Sequence, residues 1–427
     1  MGPRRHHLLF TKRFGQPAFD CGEYDCDRHA QTDVTFMTRV SILALVMIGS
    51  VICSVTSSAE LEDSVSQLAR ALADLSADSS VVDLPEGLYT IGSTWVISRP
   101  GVTIRGAGLG KTILVRNPKF DGVLVRMNAE NGTITNLTID GNGAATVISL
   151  DRPGVTADTI EVKNFTHIGI AVPASGGRIT KCLVNGFGTA EAPSMGIWHD
   201  AGKIPTKSTI TIDHSTIQNN GMCGIYCTGG EVIVTNNRIS GNHIITSPGG
   251  GQIDIGNART TNTVATISGN TITDGGNVKT GGIELGGGKF TVTKNTIRNH
   301  GASGVGLGHN AIQAVIANNT ISNCGQNIGD GNKPPNRSGI YVLSGATNVE
   351  ISDNRCFDDQ PNKTQTWGII LASPLVRSDA SFAARHTEHV TIKQNDLRGN
   401  IHPEGLLDES GARDRITAGN LPARANR

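Results

Sequence analysis

Beyond residue 80 the chain is written in short runs that alternate apolar and polar residues, each closed by Gly, Pro or Asn. Period-two runs of this kind predict strands with one buried face, and the breaks predict turns. One earlier segment differs. Glu60 to Ala77 places Leu61, Val65, Leu68, Leu72 and Leu75 on a single helical face, which predicts an amphipathic helix. VVDLPEGLYTI, STWVISRPGVTIRGAG and KTILVRN follow as β-rich runs. From there a unit recurs, roughly apolar-x-apolar-x-x-Asn-x-apolar, a turn, then Gly-apolar-x-apolar. It is legible in TITNLTI, GVTADTIEV, RITKCLV, ITIDHSTI, VIVTNNRI, ATISGNTI, FTVTKNTI, AVIANNTI, VEISDNRC and VTIKQNDL. The residue at its Asn position is successively Leu137, Asp158, Cys182, Ser215, Asn237, Asn270, Asn295, Asn319, Asn354 and Asn395. The spacings are 21, 24, 33, 22, 33, 25, 24, 35 and 41 residues, a base rung of 21–25 with insertions. That is the signature of a solenoid.

Asparagine tolerates the left-handed turn conformation, and identical amides on successive rungs can hydrogen-bond along the axis. The run of Asn from Asn237 to Asn395 is therefore expected to stack at one corner of the coil. This repeat resembles the right-handed parallel β-helix repeat (pectin-lyase-like) family, the fold of pectate lyases, polygalacturonases, alginate lyases and epimerases, and phage tailspikes. The resemblance covers about Val81 to Gly399. It implies an all-β fold, a right-handed parallel β-helix of roughly 10–12 rungs, with a short α-helical N-terminal cap over the open end. The expected organisation is an unstructured extension over 1–36, a signal peptide or membrane anchor over 37–59, the cap over 60–80, the β-helix over 81–400, and a partial rung with a loose tail over 401–427. The repeat is specific for fold and not for activity, since lyases, hydrolases, epimerases and inert scaffolds share it.

Composition narrows the function classes. Lys+Arg and Asp+Glu balance at 37 each, so no whole-chain field draws in nucleic acid or an anionic membrane. With 53 Gly and 32 Asn, the chain reads neither as a helical bundle nor as a Rossmann-type enzyme. Val40 to Val55 is an apolar run preceded by Met37-Thr38-Arg39, with small residues Ser57 and Ala59 ahead of a cleavage point. It has the parts of a secretory signal, and it starts at Met37 rather than Met1. Translation from Met37 accounts for this, and a genuine extension with a signal anchor is the alternative. In either case the remainder is expected to be secreted, periplasmic or on the cell surface. Five cysteines would remain, an odd number that excludes a full disulfide framework. Cys182, Cys227 and Cys356 read as small core residues, and the lone C-x3-C of Cys223 and Cys227 is a poor zinc signal. RGAGLGKT at 105–112 lacks phosphate-loop spacing.

The resemblance implies a working groove along the strands that begin Gly-apolar: GIAVPA, GIWHD, GIYCT, GQIDIG, GIELGG, GVGLGH, GIYVLS and GIILAS. Alternation then predicts an outward column of Ala171, Trp198, Tyr226, Asp254, Glu284, Gly306, Tyr341 and Ile370. Aromatics flanking two acids suit the flat faces of sugar rings, so the expected partner is a polysaccharide. Stacking that serves only the sheet is the alternative. Gly306 is expected to leave a notch beside Glu284. Long insertions precede the same strand before Ile197, Gln252, Gly339 and Gly368, and could wall the column.

Asp254 and Glu284 on adjacent rungs are the expected acid and base of a polysaccharide hydrolase, because close carboxylates push their pKa values apart. The paired-Asp, Gly-His-Gly and Arg-x-Lys signatures of polygalacturonase-like relatives are absent; SGVGLGHN is a faint echo. The same acids could hold Ca2+, with no other cofactor implied. A lyase is the rival, needing a base and a cation at a uronate, for which Lys279, His243, His309, Lys333 and Arg337 are candidates. In GIWHD, His199 is expected to point inward and Asp200 outward. The reading is an exported carbohydrate-active protein with Asp254, Glu284, Lys279 and His309 as catalytic candidates. Trp198, Asp200, Tyr226, His243, Arg337 and Tyr341 are the candidate sugar contacts. A non-catalytic surface β-helix for glycan binding or scaffolding is the alternative.

Overall fold

The computed structural model describes residues 64–73, 80–173, 175–186, 194–201, 208–243, 250–256, 260–275, 280–326, 338–373, 386–412 and 414–421. The expected extension and signal segment, 1–59, lie outside them, as do Lys279, Lys333 and Arg337. Among the described residues no helix is long and apolar enough to cross a membrane.

The period-two runs pair in parallel, each coil on the next, to make 32 strands around one core among the described residues. Three sheets result. The first runs from Val81–Leu84 on Thr103–Gly106 to Glu388–Lys393 on Arg415–Ala418. The second starts at Gly87–Ile91 on Thr112–Arg116, reaches Arg355–Phe357, and continues as bridges through Asp396 to Leu421. The third runs from Trp95–Ile97 on Val125–Met127 to Trp367–Leu371 on Leu406–Asp408. Thr133–Leu150 and Thr156–Ala171 each pass through all three sheets without a break. This is the right-handed parallel β-helix expected from the repeat. Its core is built of like on like: Ile197, Ile225, Ile253, Ile283, Val305, Ile340 and Ile369 form one fully buried file under the third sheet. Each such side chain contributes about 1.5–3 kcal/mol by leaving water.

A single left-handed residue makes the corner between the first and second sheets. It is Lys181 (φ 53), His214 (φ 50), Asn236 (φ 56), Gly269 (φ 69), Lys294 (φ 58), Asn318 (φ 57), Asp353 (φ 56), Gln394 (φ 57) or Gly419 (φ 63) on successive rungs. The left-handed position is thus the residue before the repeating asparagine and not, as expected, the asparagine itself. The bend swings the following side chain into the coil.

There the amides stack as the repeat predicts, and the stack is longer than the motif showed. From Asn237 through Asn270, Asn295, Asn319, Asn354 and Asn395 to Asn420, each Oδ1 after the first accepts both the backbone N–H and the Nδ2–H of the asparagine one rung before, at 2.9–3.0 Å. Each Nδ2 also donates to a strand carbonyl, as Asn295 does to Ile267 O at 2.9 Å. Toward the N-terminus the stack continues through Ser215, whose N–H reaches Asn237 Oδ1, to Cys182. Asn420 lies in the stretch that reads in sequence as pattern-less.

The helix Ser64–Ala73 packs on Gly87–Ile91 and Trp95–Ile97, with Leu68 buried and Leu72 half-buried against the core. All five cysteines among the described residues are free and buried.

Removing one ladder amide orphans buried groups on two rungs. Asn295→Ala is expected to cost about 3–5 kcal/mol, from several unsatisfied groups at about 1–3 kcal/mol each. The exposed Thr296→Ala next to it should stay within about 0.5 kcal/mol. Urea unfolding midpoints at unchanged m-value measure both.

Candidate functional site

The third sheet carries the expected column, residue for residue. Ala171 pairs with Trp198, Trp198 with Tyr226, Tyr226 with Asp254, Asp254 with Glu284, Glu284 with Gly306, Gly306 with Tyr341, and Tyr341 with Ile370. In-register parallel strands put neighbouring members about 4.8 Å apart. Trp198, Tyr226, Asp254, Glu284 and Tyr341 are all half-buried, so each retains a solvent face on one side of the coil. Toward the N-terminus the same row continues through Ser149 to Arg126.

The two acids are held differently. Burial pushes the Asp254 carboxyl up to about 7. Burial and then the Asp254 charge push Glu284 up to about 8. Among the described residues no ion pair reaches either one, so nothing cationic there offsets the desolvation. The expected notch at Gly306 is filled by Glu284 itself. A methyl group on Gly306 would stand 2.2 Å from Glu284 Oε2, and one on Gly281 would stand 2.3 Å from Oε1. Two glycines therefore clear the path by which the Glu284 carboxyl lies over its own rung and the next. Asp254 Oδ2 leans the same way along its own strand, toward Gly250.

The architecture matches the family model described as a right handed beta helix region, over residues 98–239 and 196–400. The chain belongs to the right-handed β-helix family. Among solved structures, the Dettilon tailspike protein is 16% identical with a TM-score of 0.58, over 81% of this chain and 64% of the tailspike, so the match spans less than two thirds of that protein. A PL6 alginate lyase in complex with a trisaccharide is 16% identical with a TM-score of 0.59, over 84% of this chain and 82% of the lyase. An alginate lyase in complex with G6 is likewise 16% identical at 0.59, over 86% and 84%. These likenesses show the fold. No curated protein sequence matches the chain.

Around the column of this β-helix the histidines take separate places. His199 is fully buried, with Nδ1 2.6 Å from Val172 O and Nε2 3.0 Å from Ser208 Oγ, and is a structural residue. Asp200 faces outward and accepts from Thr228 Oγ1 at 2.9 Å. His309 stands in the turn after Val305–Leu307 with Nδ1 2.7 Å from Ser344 O. Three residues past Gly306, it is roughly 10 Å along the strand from the acids. His243, expected as a sugar contact, is only 1% exposed. Its ring packs behind Gly250 rather than lining the surface, and burial lowers its pKa.

Sequence reasoning missed several neighbours. Glu409 lies close enough to Tyr341 that its charge, after burial and ahead of that of Glu284, raises the Tyr341 hydroxyl pKa. The alternation in Leu406–Asp408 and Glu409 was the available signal, overlooked because the repeat fades there. Trp367 and His402 stack with centroids 4.0 Å apart at 13°. Neither has a repeat partner that marks it. Among the described residues no group of three or more His, Cys, Asp or Glu could hold a metal ion.

Carboxyls raised in the folded state bind more protons there than in the unfolded chain. Their stabilising protonation is complete at low pH and is lost as pH rises through about 7 and 8. Glu284→Gln, which cannot ionise, should therefore gain stability on the wild type above pH 8. Near pH 5 it should be close to neutral. Denaturant melts at the two pH values test the sign.

Proposed function

We propose that this β-helix binds a polysaccharide along the Trp198–Tyr341 column and hydrolyses it with the Asp254–Glu284 pair. The observation that carries the reading is the in-register adjacency of two desolvated acids inside an aromatic row. Proteins sharing the fold are known in complex with a trisaccharide and with G6, which agrees with a glycan ligand.

The chemistry follows from the two environments. Glu284, the higher of the pair, keeps its proton near neutral pH and donates it to the glycosidic oxygen as the C1–O bond breaks. Asp254, the lower, is ionised sooner and accepts a proton from the water that forms the new C1–O bond. Elimination on a uronate needs a cation at the sugar carboxylate. The residues expected to supply one, Lys279, Lys333 and Arg337, fall outside the described residues. The apolar run from Val40 to Val55 carries the proposal that the protein works outside the cytoplasm.

Residues 60–427 on a panel of neutral and uronic polysaccharides should release reducing ends without an unsaturated sugar chromophore. Asp254→Asn and Glu284→Gln should each lower turnover at least about 1000-fold while leaving the fold and glycan affinity in place. The pH profile of kcat/KM should be a bell with limbs near 7 and 8. Trp198→Ala or Tyr341→Ala should weaken binding about 5–10-fold, from about 1–1.5 kcal/mol of stacking. Unsaturated products would replace hydrolysis by elimination, and binding without turnover would leave a glycan-binding scaffold.

A further inference from the structure

Two glycines lie directly under the Glu284 carboxyl. Gly281 is on the same strand, Thr280–Leu285, and Gly306 is paired with Glu284 on the rung after. A methyl group on Gly306 would stand 2.8 Å from Glu284 Cδ and 2.9 Å from Oε1, and would overlap Oε2 outright. The three nearest atoms there are thus all from this one carboxyl. A methyl group on Gly281 would overlap Oε1 and stand 3.2 Å from Cδ. Neither backbone is left-handed, so conformation does not call for glycine at either position. Close approach does, because the carboxyl occupies the place where a side chain would begin.

A carboxyl lying this low touches the backbone itself, with no layer of water between. One side of it is therefore shielded from solvent by the sheet that carries it, and shielding favours the protonated form of a carboxyl. The same posture moves it along the coil axis, off its own rung and toward Gly306. Beyond Gly306 the next member of the row is Tyr341, paired with it in register. Among the described residues, Asp254 one rung before and Tyr341 two rungs after are the titratable groups that interact with this carboxyl. The Asp254 charge raises Glu284, and the Glu284 charge reaches the Tyr341 hydroxyl.

We propose that Gly306 and Gly281 are positioning residues for the acid of this site, seating the Glu284 carboxyl against the sheet so that its proton is offered on the Tyr341 side of its own strand. The glycosidic oxygen that takes the proton then lies toward Gly306, next to the sugar held by Tyr341. The proton passes from Glu284 to that oxygen as the C1–O bond breaks, and Glu284 is left as the carboxylate. The glycines touch no reacting atom and act only through Glu284. The inference rests on the hydrolytic reading, and the seat itself can be measured without turnover.

Gly306→Ala is the decisive variant, because alanine suits the backbone there and the nearest atoms in its way are those of the carboxyl. Carbon-13 labelling of glutamate carboxyls, with Glu284→Gln to identify the signal, should show Glu284 titrating near 8 in the wild type. In Gly306→Ala and in Gly281→Ala the signal should titrate closer to the ordinary glutamate value of about 4.3. In urea, Gly306→Ala should lower the unfolding midpoint of the wild type and leave that of Glu284→Ala unchanged, a coupling that separates the seat from a general packing defect. On a polymer that the wild type cleaves, Gly306→Ala should move the alkaline limb of kcat/KM downward. It should also lower kcat about 100-fold with KM unchanged, as expected when a reacting group is misplaced. An unmoved Glu284 titration in both glycine variants, additive losses in urea, or an unmoved alkaline limb would each overturn the seat. A wild type that cleaves no polymer removes the hydrolytic reading instead. The titration and the urea cycle then still decide whether the two glycines seat the carboxyl.

Discussion

Each asparagine in the corner stack satisfies its amide from the strand beneath it and from the rungs on either side. A coil that slipped by one residue against its neighbour would break several of these bonds at once and leave the groups buried. It would also turn every inward isoleucine outward, because strand side chains alternate with a period of two. The polar stack and the apolar file thus enforce the same register. The left-handed residue before each asparagine is the hinge of that arrangement, since it directs the amide inward. Lysine, histidine and aspartate all occupy this position, at the backbone cost a non-glycine residue bears there.

Register held this firmly turns a sequence of strands into a surface row. Asp254 and Glu284 are far apart in sequence and are neighbours because the coil returns one rung later to the same place. Such stacking takes both carboxyls partly out of water, which raises their pKa values, and the Asp254 charge raises Glu284 further. The strain is relieved locally by glycines. Gly281 and Gly306 leave room for the two oxygens of the Glu284 carboxyl, and a methyl group on Gly250 would touch Asp254 Oδ2 and His243 Nε2. Missing side chains shape this site as much as present ones do, and each adjusts one carboxyl without disturbing the backbone pairing.

The outward column from Ala171 to Ile370 could be read directly from alternation and rung spacing. Both are local properties of strands, and the stacked core preserves them. The inward course of His199 followed from the same rule, as did the core role of Cys182, Cys227 and Cys356. The rule fails at Gln252. Two residues from Asp254, it should face outward, yet it is fully buried. Its amide accepts from Asn242 and donates to Thr273 O, completing the corner between the second and third sheets. A corner beside the strand overrides the pleat there. The same corner takes His243 out of reach of a bound sugar and turns it toward the back of Asp254.

The pattern along the chain alone determined that this is a coil, where its rungs stack from Cys182 onward, and which side chains share its outer row, because each follows from a short repeat; at the rung before, Ile160 and not the expected Asp158 stands opposite Leu137. Only the tertiary structure decided which atoms in that row meet. The direction of the Glu284 carboxyl, the neighbours of Gly250, the depth of His243 and the reach of Glu409 toward Tyr341 depend on side-chain torsions and on residues one or more rungs away. Periodicity carries no information about either, since it specifies a face of the sheet and not what stands opposite that face.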